Sequence, residues 1–232
     1  MAGRVVAAAR RAAVPEAGIH SLEQALEIAM RPREERLPDD HHPDFLHPGR
    51  TVLILLEDLG ITDAAILSAG ALAETLRPTL AADLGPEELD RIAPGTPEIL
   101  AQLPIPRREG DRLLEALVAA PEPVRRVALA ERLDHVRRLH LQPREEWAAL
   151  HAETRDCYLP VAARTHPTLE RRLRWWCTTF EARFLGGHDP EPAARAGGPH
   201  VGADVEADAE ADVGHDPGQD PYPDTGSPGG GR

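Results

Sequence analysis

The sequence predicts an all-α protein. Hydrophobic residues make up 41% of the 232 residues but aromatic residues only 3%, so the core must be built mostly from Leu, Ala and Val. Such residues favour helices, and the alternation of β-branched or aromatic residues that is typical of strands is missing. The length allows one substantial domain plus extensions. We therefore expect a helical bundle.

The stretch 66–75, Ile-Leu-Ser-Ala-Gly-Ala-Leu-Ala-Glu-Thr, is the predicted centre of this bundle. It is apolar on every side of a helical wheel for about two turns, as expected of a helix that other helices surround. Thr62 is expected to cap this helix, which ends before Pro78. The first ionisable group of the stretch is Glu74, so the helix brings a carboxylate to its buried end.

The N-terminal part is predicted to contain a leader, a helix and a loop. Residues 1–18 are rich in Ala and Arg and are expected to be a flexible leader before a helical domain of residues 19–186. Ser21-Leu22-Glu23-Gln24 has the spacing of a capping box, which predicts a helix over 21–31. The polar segment 32–45 holds three prolines and is expected to be a surface loop.

Proline and glycine positions define the remaining helices. Pro48 suits the first turn of a helix, which places His47 at the N-terminus of a helix that Gly60 ends. Pro160 is expected to bend or interrupt a later helix. Further helices are predicted over residues 86–92, 97–103, 111–119, 123–141, 143–163 and 165–185.

The charge is concentrated near the C-terminus. Residues 187–232 hold 10 acidic and 2 basic residues, which account for −8 of the net charge of −13. Their acidic, Gly-rich and Pro-rich composition predicts a disordered tail. Basic residues interleaved with aromatics are missing, so nucleic acid is not an expected partner. No stretch approaches the ~20 apolar residues of a membrane span, and a cytoplasmic protein without a membrane partner is expected.

Three predicted helices offer polar groups that suit a divalent metal. His47 begins one helix, Glu74 ends the next, and Glu131 lies on a later helix with His135 four residues on, on the same face. Helical bundles build such sites from histidine and carboxylate side chains that come from separate helices. Without the evidence of order and spacing, the same groups are better explained as helix caps and surface pairs.

The order and spacing of several motifs resemble a known family. The motifs are His47-Pro48, Leu59-Gly60-Ile61-Thr62-Asp63, Leu129-Ala130-Glu131-Arg132-Leu133-Asp134-His135-Val136-Arg137 and Tyr158-Leu159-Pro160-Val161-Ala162. They resemble the HD-domain hydrolases of the RelA/SpoT type over residues 20–185. That family has an all-α fold and uses a metal ion to remove pyrophosphate from the 3′ position of guanosine tetra- and pentaphosphate.

The resemblance also implies a nucleotide side to the site. Counting back eleven residues from His47 puts Arg36 where the family has an arginine thought to lie against the guanine. Tyr158 matches a tyrosine near the nucleoside, and Arg137 matches the arginine that closes the third motif. Arginine can stack on a purine and contact phosphate. A solvated loop arginine is an equally good explanation of Arg36.

The departures from the family fall where its chemistry takes place. The His-Asp pair that names the family reads Ala73-Glu74 here, and the Glu-Asp pair that supports hydrolysis falls on Arg77-Pro78. The third metal carboxylate is Glu131 instead of aspartate, and His135 replaces an asparagine. Neither arginine nor proline can deprotonate a water at neutral pH. No resident cofactor is expected. Mn²⁺ or another divalent metal is expected to bind only if the altered residues still form a metal site.

Three functions remain open at this point. The favoured one is a catalytically degenerate HD-domain protein that acts by binding a guanine nucleotide or a protein partner. The second is a metal-dependent phosphohydrolase with rearranged ligands, in which His135 supplies the missing nitrogen. The third is a structural helical domain without a small ligand.

Overall fold

The computed structural model describes residues 1–37, 42, 44–76, 85–105 and 109–186. These ranges contain helices and no strand, which confirms the predicted fold class, and they all belong to one compact unit. The predicted tail (187–232) and Arg77-Pro78 lie outside the described residues. No helix within the described ranges is long and apolar enough to cross a membrane.

The helices follow one another with short connections. They are α1 (Ala2–Arg11), α2 (Glu16–Arg36), α3 (His47–Leu53), α4 (Ala64–Leu72), α5 (Pro86–Ile92), α6 (Thr96–Ala101), α7 (Leu113–Ala119), α8 (Glu122–Arg137), α9 (Arg144–Glu153), α10 (Leu159–Thr165) and α11 (Pro167–Phe180). A wider π-helical turn extends α3 (Ile54–Asp58), α9 (Thr154–Tyr158) and α11 (Glu181–Leu185). Tighter 3₁₀ turns follow α4 (Ala73–Leu76), precede α7 (Gly110–Arg112) and follow α8 (Leu139–Leu141).

Helix α4 is the centre of the bundle, as predicted. Every residue from Ile66 to Leu72 is buried, and α4 packs against α2, α3, α6 and α8. Gly70 makes room for the π-helical turn after α3, because a Cβ at this position would lie 2.5 Å from Leu55 Cδ1. The predicted cap is off by one residue: the Asp63 side chain accepts the N–H groups of Ala65 and Ile66 at 2.9 and 3.2 Å.

Helix α2 is longer than the predicted helix over 21–31. It begins at Glu16 after Pro15, so Ser21 lies inside the helix and is not its cap. Its apolar stripe continues past Ala29 to Pro32 and Arg33, both of which are buried. The expectation of a surface loop from residue 32 is therefore wrong for residues 32–36, because burial of this face outweighs the helix-breaking tendency of Pro32.

Residues 1–18 also differ from the expected flexible leader. Helix α1 packs against α2 and α3 and buries one face, with Val5 and Ala9 fully inaccessible to solvent. Met1 approaches Gly49 of α3 so closely that a Cβ there would lie 2.3 Å from Met1 Cγ. The apolar residues recur at helical spacing, so packing on the bundle and not the Ala-rich composition decides the structure of this segment.

The C-terminal helices agree with the predicted pattern and differ in their boundaries. The helix predicted over 123–141 ends at Arg137 and is followed by the 3₁₀ turn. The helix predicted over 143–163 is not broken at Pro160: α9 passes into its π-helical turn, and α10 follows directly with Pro160 in its first turn. A missing N–H is tolerated at that position, since the first turn leaves its N–H groups without helical partners.

Candidate functional site

Helix packing brings the four predicted ligand residues together. His47 is the first residue of α3, Glu74 lies in the 3₁₀ turn after α4, and α8 carries Glu131 and His135. One ligand atom each of His47, Glu74 and Glu131 lie within 4.8 Å of one another. The same holds for Glu74, His135 and Asp44, so Glu74 is common to both groups. The His135 ring stands edge-on to the His47 ring, with centroids 6.1 Å apart.

The imidazole of His47 is held on both sides. Its Nδ1–H donates to Asp134 Oδ2 at 2.7 Å, because an ionised carboxylate can only accept. Its Nε2 lies 3.4 Å from Thr51 Oγ1 and 3.8 Å from Glu74 Oε1. His47 and Asp134 are both buried. A carboxylate on Nδ1 is the arrangement that orients the other nitrogen of a metal-binding histidine.

Asp134 is a site residue that the motif-based prediction left out. Besides His47 it accepts the Nε–H of Arg50, whose distances to the two carboxylate oxygens are 2.8 and 3.1 Å. Burial alone would raise the pKa of Asp134, but the hydrogen bonds and charges of His47 and Arg50 outweigh it and lower the pKa to about 2. The feature of the sequence that could have indicated its burial is its position between Leu133 and Val136, which are both buried.

The carboxylates around His47 determine its charge. Burial alone would lower the pKa of this imidazole, but the negative charges of Glu74, Asp134 and Glu131 outweigh burial and raise the pKa to about 9. At neutral pH His47 is therefore an imidazolium, and both ring nitrogens carry protons. A histidine must lose such a proton before it can bind a metal.

Arg33 is the second site residue that the sequence-based prediction left out. Its side chain is fully buried, and its guanidinium forms an ion pair with Glu74. The remaining donors are also engaged: Nε donates to the carbonyl of Asp44 at 3.0 Å and Nη1 to the carbonyl of Ala29 at 2.6 Å. Its sequence signal was the position four residues after Ala29 on the apolar stripe of α2.

The residues as arranged do not fit a divalent cation. Glu74 is the carboxylate common to both ligand groups, and Arg33 is ion-paired to it inside the core. A divalent ion at the same carboxylate would lie next to a buried guanidinium and an imidazolium, and like charges at short range in a weakly screened interior repel strongly. Binding would require both displacement of Arg33 and loss of the His47 proton.

The three nucleotide candidates lie in different environments. Tyr158 is buried, and the guanidinium of Arg132 covers its ring at 4.1 Å from the centroid. Burial raises the pKa of Tyr158 to about 12. Arg132 is itself buried and forms an ion pair with Glu153. Arg36 and Arg137 are exposed at the C-terminal ends of α2 and α8. Only these two of the three candidates present their side chains to solvent.

No family model and no curated protein matches this chain. The features of the chain that bear on its function are therefore its HD-like motifs and the geometry around Glu74.

Proposed function

We propose that this chain is a cytoplasmic HD-domain-like protein that binds a guanine nucleotide without hydrolysing it. The observation that supports this proposal is the buried ion pair between Arg33 and Glu74. In the resembled hydrolases the equivalent carboxylate holds the catalytic metal, whereas here an arginine neutralises it. A carboxylate in that pairing lacks the freedom to bind and activate a metal-bound water.

Two substitutions in the sequence support the same proposal. Ala73 stands where the resembled family has a metal-binding histidine, so one nitrogen ligand is lost outright. Arg77-Pro78 stands where the family has the acidic pair that supports hydrolysis. Loss of a general base alone typically lowers the rate by 10²–10⁴-fold. Together with the loss of a metal ligand, these changes are expected to abolish turnover.

The nucleotide-binding part of the proposal depends on the exposed arginines. Arg36 and Arg137 present guanidinium groups that can contact phosphate or stack on a purine. Tyr158 is not expected to stack on the base, because its ring is buried beneath Arg132. We therefore expect Arg137→Ala to weaken nucleotide binding by about tenfold, which is about 1.4 kcal/mol. Arg164→Ala, which removes another exposed arginine, should leave the affinity unchanged.

The test combines a binding and a turnover measurement on the full chain. Calorimetric titration with guanosine tetraphosphate should detect binding, and a pyrophosphohydrolase assay with Mn²⁺ should detect no product. Turnover that disappears in Glu131→Ala would contradict the proposal. If neither binding nor turnover is measured, nucleotide binding is wrong and the chain is a structural or protein-binding helical domain.

A surviving metal-dependent phosphohydrolase is the second candidate. It is favoured by the close approach of ligand atoms from His47, Glu74 and Glu131 and by the hydrogen bond from His47 to Asp134. On this alternative, purified protein should contain stoichiometric metal and hydrolyse the nucleotide. Metal analysis of the purified protein therefore separates the two candidates before any activity is measured.

A further inference from the structure

Arg33 is held at Glu74 by a set of oxygen atoms that comes from three parts of the chain. The Glu74 carboxylate follows α4, the Ala29 carbonyl belongs to α2, and the Asp44 carbonyl lies just before α3. A guanidinium presents its five N–H donors in one rigid plane. Three of its nitrogen atoms therefore point at fixed oxygens, and the group has one position in the core.

The charge that Arg33 supplies is needed at this place. Glu74 is buried at the point where Glu131 also approaches it. A buried carboxylate without a compensating cation is strongly destabilising. In a metal-containing bundle a divalent ion supplies this compensation, whereas here a side chain of α2 supplies it.

We propose that the Arg33 guanidinium occupies the place of a divalent metal ion, and that its removal converts His47, Glu74 and Glu131 into a binding site for a first-row divalent cation. This inference rests on the proposed function, since it explains why the wild-type chain would not use a metal. It adds that the candidate ligands are kept close together and that Arg33 pairs with the carboxylate they share; an ion that binds after its removal must also displace the proton on Nε2 of His47.

The distances between the donor atoms suit a single ion. Two ligands that bind one ion at ~2.1 Å each lie at most about 4.2 Å apart. His47 Nε2 and Glu74 Oε1 are 3.8 Å apart, and ligand atoms of the three residues lie within 4.8 Å of one another. Around a tetrahedral ion such ligand atoms lie about 3.4 Å apart, so side-chain shifts of up to roughly 1 Å are needed to bring all three to one ion. A histidine with two carboxylates suits Co²⁺, Mn²⁺ or Zn²⁺.

The experiment compares metal binding by wild-type protein and Arg33→Ala. Co²⁺ is titrated into each protein, and binding is followed by calorimetry and by the visible absorption of the bound ion. We expect one Co²⁺ per chain in Arg33→Ala, with an affinity at least tenfold above that of wild type. The double variant Arg33→Ala/Glu131→Ala should lose this gain. Arg31→Ala, which removes an exposed arginine of the same helix, should bind Co²⁺ as wild type does.

Folding is measured beside binding, because Arg33→Ala removes the guanidinium that forms an ion pair with the buried Glu74. Arg33→His is the second variant, since a shorter side chain with a nitrogen frees the carboxylate and can also serve as a ligand. Stabilisation of either variant by Co²⁺, or folding only in its presence, supports the inference. A folded variant that binds no more Co²⁺ than wild type overturns it, and so does a failure of both variants to fold when Co²⁺ is added.

The result also separates this inference from the proposed function. Tight stoichiometric Co²⁺ binding by wild-type protein, with Arg33 in place, would contradict both. Weak binding by wild type and by both Arg33 variants would contradict only the idea that Arg33 blocks a metal site. Nucleotide binding without turnover would then still stand.

Discussion

Asp134 Oδ2 lies 2.7 Å from Nδ1 of His47, and this hydrogen bond joins the interior of α8 to the first residue of α3. Arg50, one turn further along α3, donates to the same carboxylate. One buried acid therefore holds two basic groups of a neighbouring helix and sets the orientation of the imidazole. Glu74 approaches the ring from its other nitrogen.

Asp134→Ala should destabilise the protein by about 3 kcal/mol. The substitution removes the carboxylate that pairs with both the buried His47 imidazolium and the Arg50 guanidinium, and breaking a buried pair in this way is costly. Urea unfolding followed by circular dichroism measures the loss. Glu170→Ala is the control, because Glu170 pairs with Arg174 on the surface and should contribute about 0.5 kcal/mol or less. Equal losses in both variants would contradict a special role for Asp134.

Stability should fall as the pH rises from about 6.5 to 9. The folded state raises the pKa of His47 from its ordinary value of 6.5 to about 9, so the native protein binds a proton that the unfolded chain releases in this range. The contribution is complete below pH 6.5 and is lost above pH 9, and its size is on the order of 3 kcal/mol. Urea unfolding at a series of pH values measures it. His47→Gln should remove this part of the pH dependence, and an identical profile in that variant would contradict the assignment.

Gly70→Ala should destabilise the bundle by about 1–3 kcal/mol, since overpacking of a core has costs of this size. The added methyl group would lie 2.5 Å from Cδ1 of the fully buried Leu55, so the Leu55 side chain or the helices beside it must move. Gly3→Ala is the matched control, because a methyl group at this helical position meets nothing within 4 Å. Thermal unfolding should show a lower Tm for the first variant and an equal or slightly higher Tm for the second. A wild-type Tm for Gly70→Ala would contradict tight packing at this position, because it would show that the Leu55 side chain makes room without cost.

Removing both members of the central ion pair should be less harmful than removing one. Arg33→Met alone removes the guanidinium that is paired with the buried Glu74 carboxylate, with an expected loss of about 3–5 kcal/mol. Arg33→Met combined with Glu74→Gln replaces the pair by neutral groups of similar volume, which is often close to neutral for stability. A double-mutant cycle in urea measures the difference. Strictly additive losses would contradict direct coupling between the two residues.

The sequence is sufficient to predict the helical fold and the central helix. The stretch from Ile66 to Leu72 is apolar on all sides of the helix, so it is stable only in the interior of a bundle. The approach of His47, Glu74 and Glu131 was also predictable, because motif order placed them on helices that were expected to pack together. The HD-domain resemblance and the nucleotide ligand stay predictions that the experiments above address.

Arg33 and Asp134 show what the sequence could not reveal. A charged residue beside Pro32 in a polar segment is more often exposed, and only the packing of α2 on α4 shows that Arg33 faces Glu74. The role of Asp134 likewise comes from its hydrogen bond with His47, which lies 87 residues earlier in the chain. Long-range ion pairs of this kind follow from tertiary packing, and local propensity carries no information about them. The burial of α1 was missed for the same reason.

The Arg33–Glu74 ion pair makes the charge balance of the core independent of metal supply. A bound ion can be removed by a chelator, diluted away or exchanged for a competing ion, whereas a side chain is always present at the same local concentration. We therefore expect the folded state to have the same core charges whether metals are scarce or abundant, and the chain to fold without a metal-loading step.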